Sequence, residues 1–362
     1  MRKKTIFFLV ILASLNFAGF SQVDTLSAIP KAFGIDTVFV PLDESVVANQ
    51  KYNEGVLLYE RGNLEQALLK FDEAIKLNPD LARAHNNKGM VLSDMNQHSK
   101  AIASFSKSIE IEPTDIAYFG RARAKHELNQ IEEALADYGF AIQFDKSMSK
   151  AYYYRASVFF DKEEYEKAIE DYTNAIKNRS DYAYAYNDRG SSYRRLGQQD
   201  KAAKDYKQAV KIDPKFALAH NNLGSLLKIE GKLQDAITEY SKAVDINPEY
   251  YVAFNNRGLA KYDNGNYEES IKDFKQAIKI NSGYAYAYNN LGNAYYKLKD
   301  YENAEKYYNE AIKLNPNYAY AYLNRGNTKE MLGKQQEACN DWKKAASLGV
   351  SSAQSYVNQI CK

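Results

Sequence analysis

Proline occurs only 7 times in 362 residues, and runs of β-branched residues are scarce beyond the first forty. Few helix breakers and few strand formers together favour helix throughout. Histidine is rarer still, at 4, and no metal-spaced cluster, P-loop, Gly-rich dinucleotide turn or G-x-S-x-G elbow is present. No catalytic residue, cofactor or metal site is therefore expected. Beyond residue 20 there is no second long apolar run, so nothing after the opening segment is expected to enter a membrane.

The opening segment has its own character. Arg2, Lys3 and Lys4 precede an apolar stretch from Ile6 to Phe20, and the small residues Gly19 and Ser21 stand before Gln22. That order is a secretory signal peptide over 1–21, and Asn16 within the short stretch disfavours an uncleaved anchor. Losing those three basic residues leaves 45 Lys and Arg against 46 Asp and Glu. A nucleic-acid partner is excluded on that balance, because phosphate binding needs a basic excess or stripe. An exported protein, periplasmic or extracellular, is expected.

What fills the rest is a repeat. Small residues recur as Ala67, Ala101, Ala134, Ala168, Ala202, Ala236, Ser270, Ala304 and Ala338, 34 apart except for one step of 33. Four residues after each stands an aromatic: Phe71, Phe105, Tyr138, Tyr172, Tyr206, Tyr240, Phe274, Tyr308 and Trp342. Twelve residues before each stands a second small residue, from Gly55 to Gly326, and seven after it a third, from Ala74 to Ala345. A period of this length marks a solenoid of supersecondary units. Small residues let two helices touch, and proline at Pro79, Pro113, Pro214, Pro248 and Pro316 ends units by stopping the second helix. The strings DYAYAY, GYAYAY and NYAYAY alternate like strands, but their fixed phase places them at the start of each first helix.

The sequence thus resembles the tetratricopeptide repeat family over about 300 of its residues, and the stretch from Ala285, AYAYNNLGNAYYKLKDYENAEKYYNEAIKLNP, carries the pattern in full. The resemblance implies an all-α fold: paired antiparallel helices in a right-handed α-α superhelix, the first helix of each pair lining a concave groove. Nine repeats are expected over 48–348, preceded by an extended segment over 22–47. A capping helix over 349–362 is expected on physical grounds, because the last unit would otherwise expose its stacking face.

Two residues before the Gly or Ala of the first helix, six of nine repeats carry asparagine: Asn53, Asn87, Asn222, Asn256, Asn290 and Asn324. Asparagine is a poor helix former, so its return at one phase asks for a reason. Two reasons are open. The amides could bind the backbone of an extended peptide, as the resemblance suggests from protein-glycosylating members, or they could join helix to helix. Repeats three to five lack the ladder and carry Phe119, Arg123, His126, Tyr153, Tyr154 and Arg194 instead, which suggests a kinked, aromatic and cationic sub-site. Tyr184, Tyr286 and Tyr320 either face the groove or cap the junctions. The lysine and arginine pattern of carboxylate-gripping members is not met. His85 and His220 fall on otherwise aromatic positions and read as core. The acidic residues recur on second helices as solvated faces.

Cys339 and Cys361 are expected to form a disulfide tying the last repeat to the cap. The reading that follows is a non-catalytic scaffold or adaptor that binds a protein or peptide segment in its groove. The alternatives are an accessory or targeting subunit of an envelope enzyme complex and a protein that binds envelope glycan.

Overall fold

The computed structural model describes residues 43–361, and every helix within them falls into one pattern. Eight hairpins follow the first, α1 (Glu44–Glu60) with α2 (Leu64–Leu77): α3 (Ala82–Asp94) with α4 (His98–Ile111), α5 (Asp115–Glu127) with α6 (Ile131–Phe144), α7 (Ser149–Asp161) with α8 (Tyr165–Asn178), and α9 (Ala183–Arg195) with α10 (Gln199–Ile212). They continue as α11 (Ala217–Ile229) with α12 (Leu233–Ile246), α13 (Tyr251–Asp263) with α14 (Tyr267–Ile280), α15 (Ala285–Lys297) with α16 (Tyr301–Leu314), and α17 (Ala319–Met331) with α18 (Gln335–Ser347). A single helix, α19 (Ser351–Ile360), closes the array. The result is an all-α superhelix with no strand among the described residues.

The expected signal peptide, 1–21, and residues 22–42 of the expected extended segment lie outside the described residues. Residues 44–47, expected in that segment, instead form the first turn of α1. Asp43 caps this turn by accepting from the Ser45 amide at 3.0 Å, so the first repeat begins four residues early.

Each hairpin closes on a residue with positive φ: Gly62, Asn96, Asn129, Glu163, Gly197, Gly231, Gly265, Lys299 and Gly333. Glycine and asparagine tolerate this left-handed position, whereas Glu163 at 61° and Lys299 at 62° hold it under strain. Beyond the turn the two helices meet where side chains are small. Ala67, Ala101, Ala134, Ala168, Ala202, Ala236, Ser270, Ala304 and Ala338 are fully buried. In the seven hairpins with glycine at the facing position, the packing aromatic lies directly against it. A Cβ added to Gly258 would stand 2.7 Å from the Phe274 ring, and one added to Gly292 would stand 2.7 Å from the Tyr308 ring.

Five hairpins carry an ionic staple that the hydrophobic pattern does not reveal. Arg121, Arg155, Arg189, Arg257 and Arg325 make forked pairs with Asp137, Asp171, Asp205, Asp273 and Asp341 at 2.6 to 2.9 Å. Four of them also reach back to the preceding hairpin, at Ser106, Thr173, Ser241 and Asn309. Arg155 has Gly139 at that place and makes no such bond. One planar guanidinium thus joins three helices.

Odd-numbered helices touch their odd-numbered neighbours along the array, while even-numbered helices make no comparable contact with one another. Closer spacing on one side curves the stack, which makes the odd-numbered layer concave. The curve is uneven. The connection from α4 to α5 is one residue shorter than every other connection between hairpins, α3 and α5 are drawn together, and α5 and α7 barely meet.

At the far end α19 packs Tyr356 on Trp342, ring centroids 5.0 Å apart, and covers Ala338 and Cys339 with Val357 and Ile360. A disulfide joins Cys339 of α18 to Cys361 just beyond α19.

A concave face with one irregular junction as candidate functional site

Helical spacing puts residues 2, 5 or 6, 9 and 13 of each first helix on one stripe. On α5 these are Ile116, Phe119 and Gly120, Arg123 and Glu127, which together line a single cavity. On α11, Leu218 and Asn222 share a pocket wall with Asn187, Asp188 and Ser191 of α9. The stripes of α9 and α11 therefore wall one stretch of groove, and that of α5 walls another.

The asparagines of this surface bond mainly to one another. Asn222 donates through Nδ2 to Asn187 Oδ1 at 3.0 Å, Asn256 to Asn221 at 3.0 Å, Asn290 to Asn255 at 2.9 Å and Asn324 to Asn289 at 3.0 Å. Asn87 donates to the Tyr52 hydroxyl at 3.1 Å. Each acceptor stands 35 residues upstream, one position earlier in the preceding repeat. Asn187, Asn221, Asn255 and Asn289 are buried and were not singled out from the sequence; the recurring Asn-Asn pair of repeats six to eight was the signal. Asn222, Asn256, Asn290 and Asn324 are half-buried, and Asn53, at the start of the series, is exposed. One donor hydrogen of Asn87, Asn222, Asn256, Asn290 and Asn324 is thereby committed to the neighbouring helix.

The same pair of positions changes character in repeats three to five. Tyr153 donates to Asp188 Oδ2 at 2.8 Å, and Phe119 packs on Tyr154 with centroids 5.6 Å apart. Tyr153 meets Tyr154 edge-on at 5.4 Å, and the Arg123 guanidinium lies 5.2 Å from the Tyr154 ring centroid. Phe119, Arg123, Tyr153 and Tyr154 are thus one cluster. Tyr184 joins them through a pocket that it lines with Tyr153, Tyr154 and Tyr182. Burial, then the charge of and hydrogen bond to Asp188, push the Tyr153 phenol far up, and burial likewise raises the Asp188 carboxyl. Burial pushes the Tyr182 phenol up to about 12. Arg194 is exposed and lies outside this cluster, near the Tyr206 phenol. His126 is half-buried on α5.

Tyr184 and Tyr286 occupy both places weighed for them. Tyr184 is 53% exposed yet packs on Phe216 of the next junction at 4.5 Å; Tyr286 is 53% exposed and packs between Tyr284 and Tyr318 at 5.6 and 5.1 Å. Tyr320 is 62% exposed. Ile116 and Leu218, which the sequence reading passed over, stand exposed at the same second position of α5 and α11. An apolar or aromatic side chain at that one phase in repeat three and in repeats five to nine was the missed signal. Of the two histidines read as core, His220 is buried, its Nδ1 2.6 Å from Glu239 and its Nε2 3.1 Å from the Pro214 carbonyl. His85 is only half-buried, because its ring turns to the Pro79 carbonyl at the hairpin edge.

Among the described residues, no helix is long and apolar enough to cross a membrane, and no three His, Cys, Asp or Glu residues are grouped to hold a metal ion.

Family models describing a tetratricopeptide repeat match residues 82–115, 149–182, 285–318 and 307–340, and a model described as TPR repeat matches 55–96, 190–229, 225–265 and 258–299. The DnaJ homolog subfamily C member 7 homolog of Schizosaccharomyces pombe is 29% identical over 100 residues, 26% of this chain and 21% of that protein. The match thus spans about a fifth of that relative's length. The crystal structure of the APC/C hetero-tetramer Cut9-Hcn1 aligns with a TM-score of 0.55 at 14% identity, covering 87% of this chain and 76% of that one. PilF of Pseudomonas aeruginosa aligns with a TM-score of 0.53 at 18% identity, covering 59% of this chain and 98% of that one. At these identities the likeness is one of fold. With nine hairpins in one register and repeat models along most of their length, the chain belongs to the tetratricopeptide repeat family, whose members generally mediate protein–protein interactions.

Proposed function

We propose that this protein is a non-catalytic scaffold whose concave face binds an extended segment of another protein. The observation that carries the reading is the apolar lip of that face. Ile116, Tyr184, Leu218, Tyr286 and Tyr320 are large side chains left 42 to 62% exposed at one register of the first helices. Exposed apolar residues scattered singly need no explanation, but a row in register along a groove is a contact surface. Tyrosine suits it, offering wide contact area at a small entropic cost. The cluster of Phe119, Arg123, Tyr153 and Tyr154 lies beside this lip and adds a cationic, aromatic station.

The test is affinity capture by the mature protein from an envelope fraction, comparing it with the triple variant Tyr184→Ser, Tyr286→Ser, Tyr320→Ser. These side chains are exposed, so the variant keeps its helical content. Loss of the captured partner supports the groove; unchanged capture assigns binding to another surface. Export is part of the same reading; it rests on the order of residues in 1–21, and the disulfide, a bond that persists in oxidising compartments, is compatible with it. N-terminal sequencing of the extracytoplasmic protein is expected to begin at Gln22, and a start at Met1 would remove the cleaved signal.

A further inference from the structure

Four buried side-chain polar atoms have no hydrogen-bond partner among the described residues: Asn86 Oδ1, Ser93 Oγ, His98 Nδ1 and the Tyr138 hydroxyl. All fall in repeats two and three. Buried polar groups are almost always paired, so such a concentration calls for a local cause. The short α4–α5 connection supplies it. Phe105 is pressed onto Gly120 so closely that an added Cβ would stand 2.5 Å from its ring. No asparagine fits there, and Asn86 loses the donor that Asn187, Asn221, Asn255 and Asn289 receive from the next repeat. Tyr206, Tyr240, Tyr308 and Trp342 bond to the residue fifteen before them, but for Tyr138 that residue is Arg123, which turns instead to Tyr154.

The gap this opens is a cavity of about 390 Å³ between α1, α3, α4 and α5. Its apolar wall is Met90, Phe105 and Phe119. Its polar wall holds Ser93 and His98, whose unpartnered Oγ and Nδ1 are covered in the free protein and must turn to a ligand to meet it, and the Tyr59 hydroxyl, which donates to Asp94 at 2.6 Å. At the mouth Arg123 and Glu127, one turn apart on α5, make no ion pair among the described residues.

We infer that this cavity is a side-chain pocket for a primary carboxamide, a glutamine or asparagine of the bound segment. The lining presents both signs of charge and both donors and acceptors. A carboxylate would meet Arg123 but face Asp94 and Glu127, and an ammonium would meet those two but face Arg123. A carboxamide carries two donors and one acceptor without charge, so it satisfies both kinds of group and avoids the cost of burying an ion. The inference rests on the groove reading for the origin of the side chain, but not for the pocket's chemistry.

The test uses blocked amino acids with the full mature chain. Binding of N-acetylglutamine methylamide is followed by the NMR signals of the His98 ring and the Arg123 Nε, against the glutamate and lysine analogues and methyl glucoside. The glutamine probe is expected to bind at least about fivefold more tightly than each of the others. Ser93→Ala is expected to weaken it about three- to tenfold, the worth of one neutral hydrogen bond, without lowering Tm, because Ser93 Oγ has no partner to lose. Tighter or equal binding of the glutamate, lysine or sugar probe, no response to any probe, or a Ser93→Ala variant that binds as before or melts earlier would each overturn the assignment. Partner capture scores the groove separately. If the tyrosine triple variant loses its partner while the glutamine probe fails, the groove stands and the pocket falls. If capture ignores the tyrosines while the probe binds, the reverse holds.

Discussion

Asn290→Ala separates a structural amide ladder from one kept for a ligand. In the folded protein Asn290 Nδ2 donates to Asn255 Oδ1 at 2.9 Å, and Asn255 is 3% exposed. Removing the donor leaves that buried oxygen unpaired, which costs about 1 to 3 kcal/mol with no ligand present. Asn53→Ala, at the same position of the first repeat, touches an exposed side chain and is expected to gain up to about 0.5 kcal/mol from helix propensity alone. Replacing both members, Asn255→Leu with Asn290→Leu, removes donor and acceptor together and is expected to recover most of the loss. Solenoid units report their own stability and that of their neighbours, so the assay is native-state hydrogen exchange of α13 and α15 amides rather than one global melt. An Asn290→Ala variant as stable as Asn53→Ala, or a double variant as costly as the single, would refute the reasoning.

Three further outcomes follow from other parts of the chain. Glu163→Gly and Lys299→Gly relieve left-handed residues at 61° and 62°, and each is expected to stabilise its hairpin by about 1 kcal/mol in denaturant titration; destabilisation would show that the turns are held by their side chains. Reducing the Cys339–Cys361 bond, which closes a 22-residue separation, is expected to cost about 3 kcal/mol, read as faster exchange over residues 351–360, and unchanged exchange would mean that Trp342 and Tyr356 suffice. Glu239 titrates below its ordinary value: burial opposes its ionised form, but the hydrogen bonds from His220 and Lys242 outweigh that. A depressed carboxyl lends stability that is complete above its unfolded value and is lost as pH falls through its folded one. Acid unfolding of Glu239→Gln is therefore expected to lack a component seen in the wild type below about pH 4.5, and identical acid limbs would refute the pairing.

Much of this was legible without coordinates because a 34-residue period repeats one packing problem nine times. Gly258 must be small because the Phe274 ring lies on it, and the spacing alone places the two together. The Arg–Asp staples were equally open to view, with arginine just before the small residue and aspartate just before the aromatic, yet a search tuned to apolar periodicity passes over them. The ladder was seen and its use was not, since an asparagine looks the same whether it faces a peptide or an amide 35 residues away. Arg194 holds in its repeat the place of His126, three residues past that of Arg123, and position in the repeat says nothing about which repeat is drawn close to which.

The sequence by itself determined the unit, its count and the positions that pack, because those depend on side-chain size at fixed helical intervals. Only the tertiary structure decided what one deleted residue does. Shortening the α4–α5 connection moves a whole helix, and the consequences appear in Phe105, Gly120 and Asn86, which no local pattern links. Regular repeats satisfy their polar groups against each other, and the one irregular junction leaves them open.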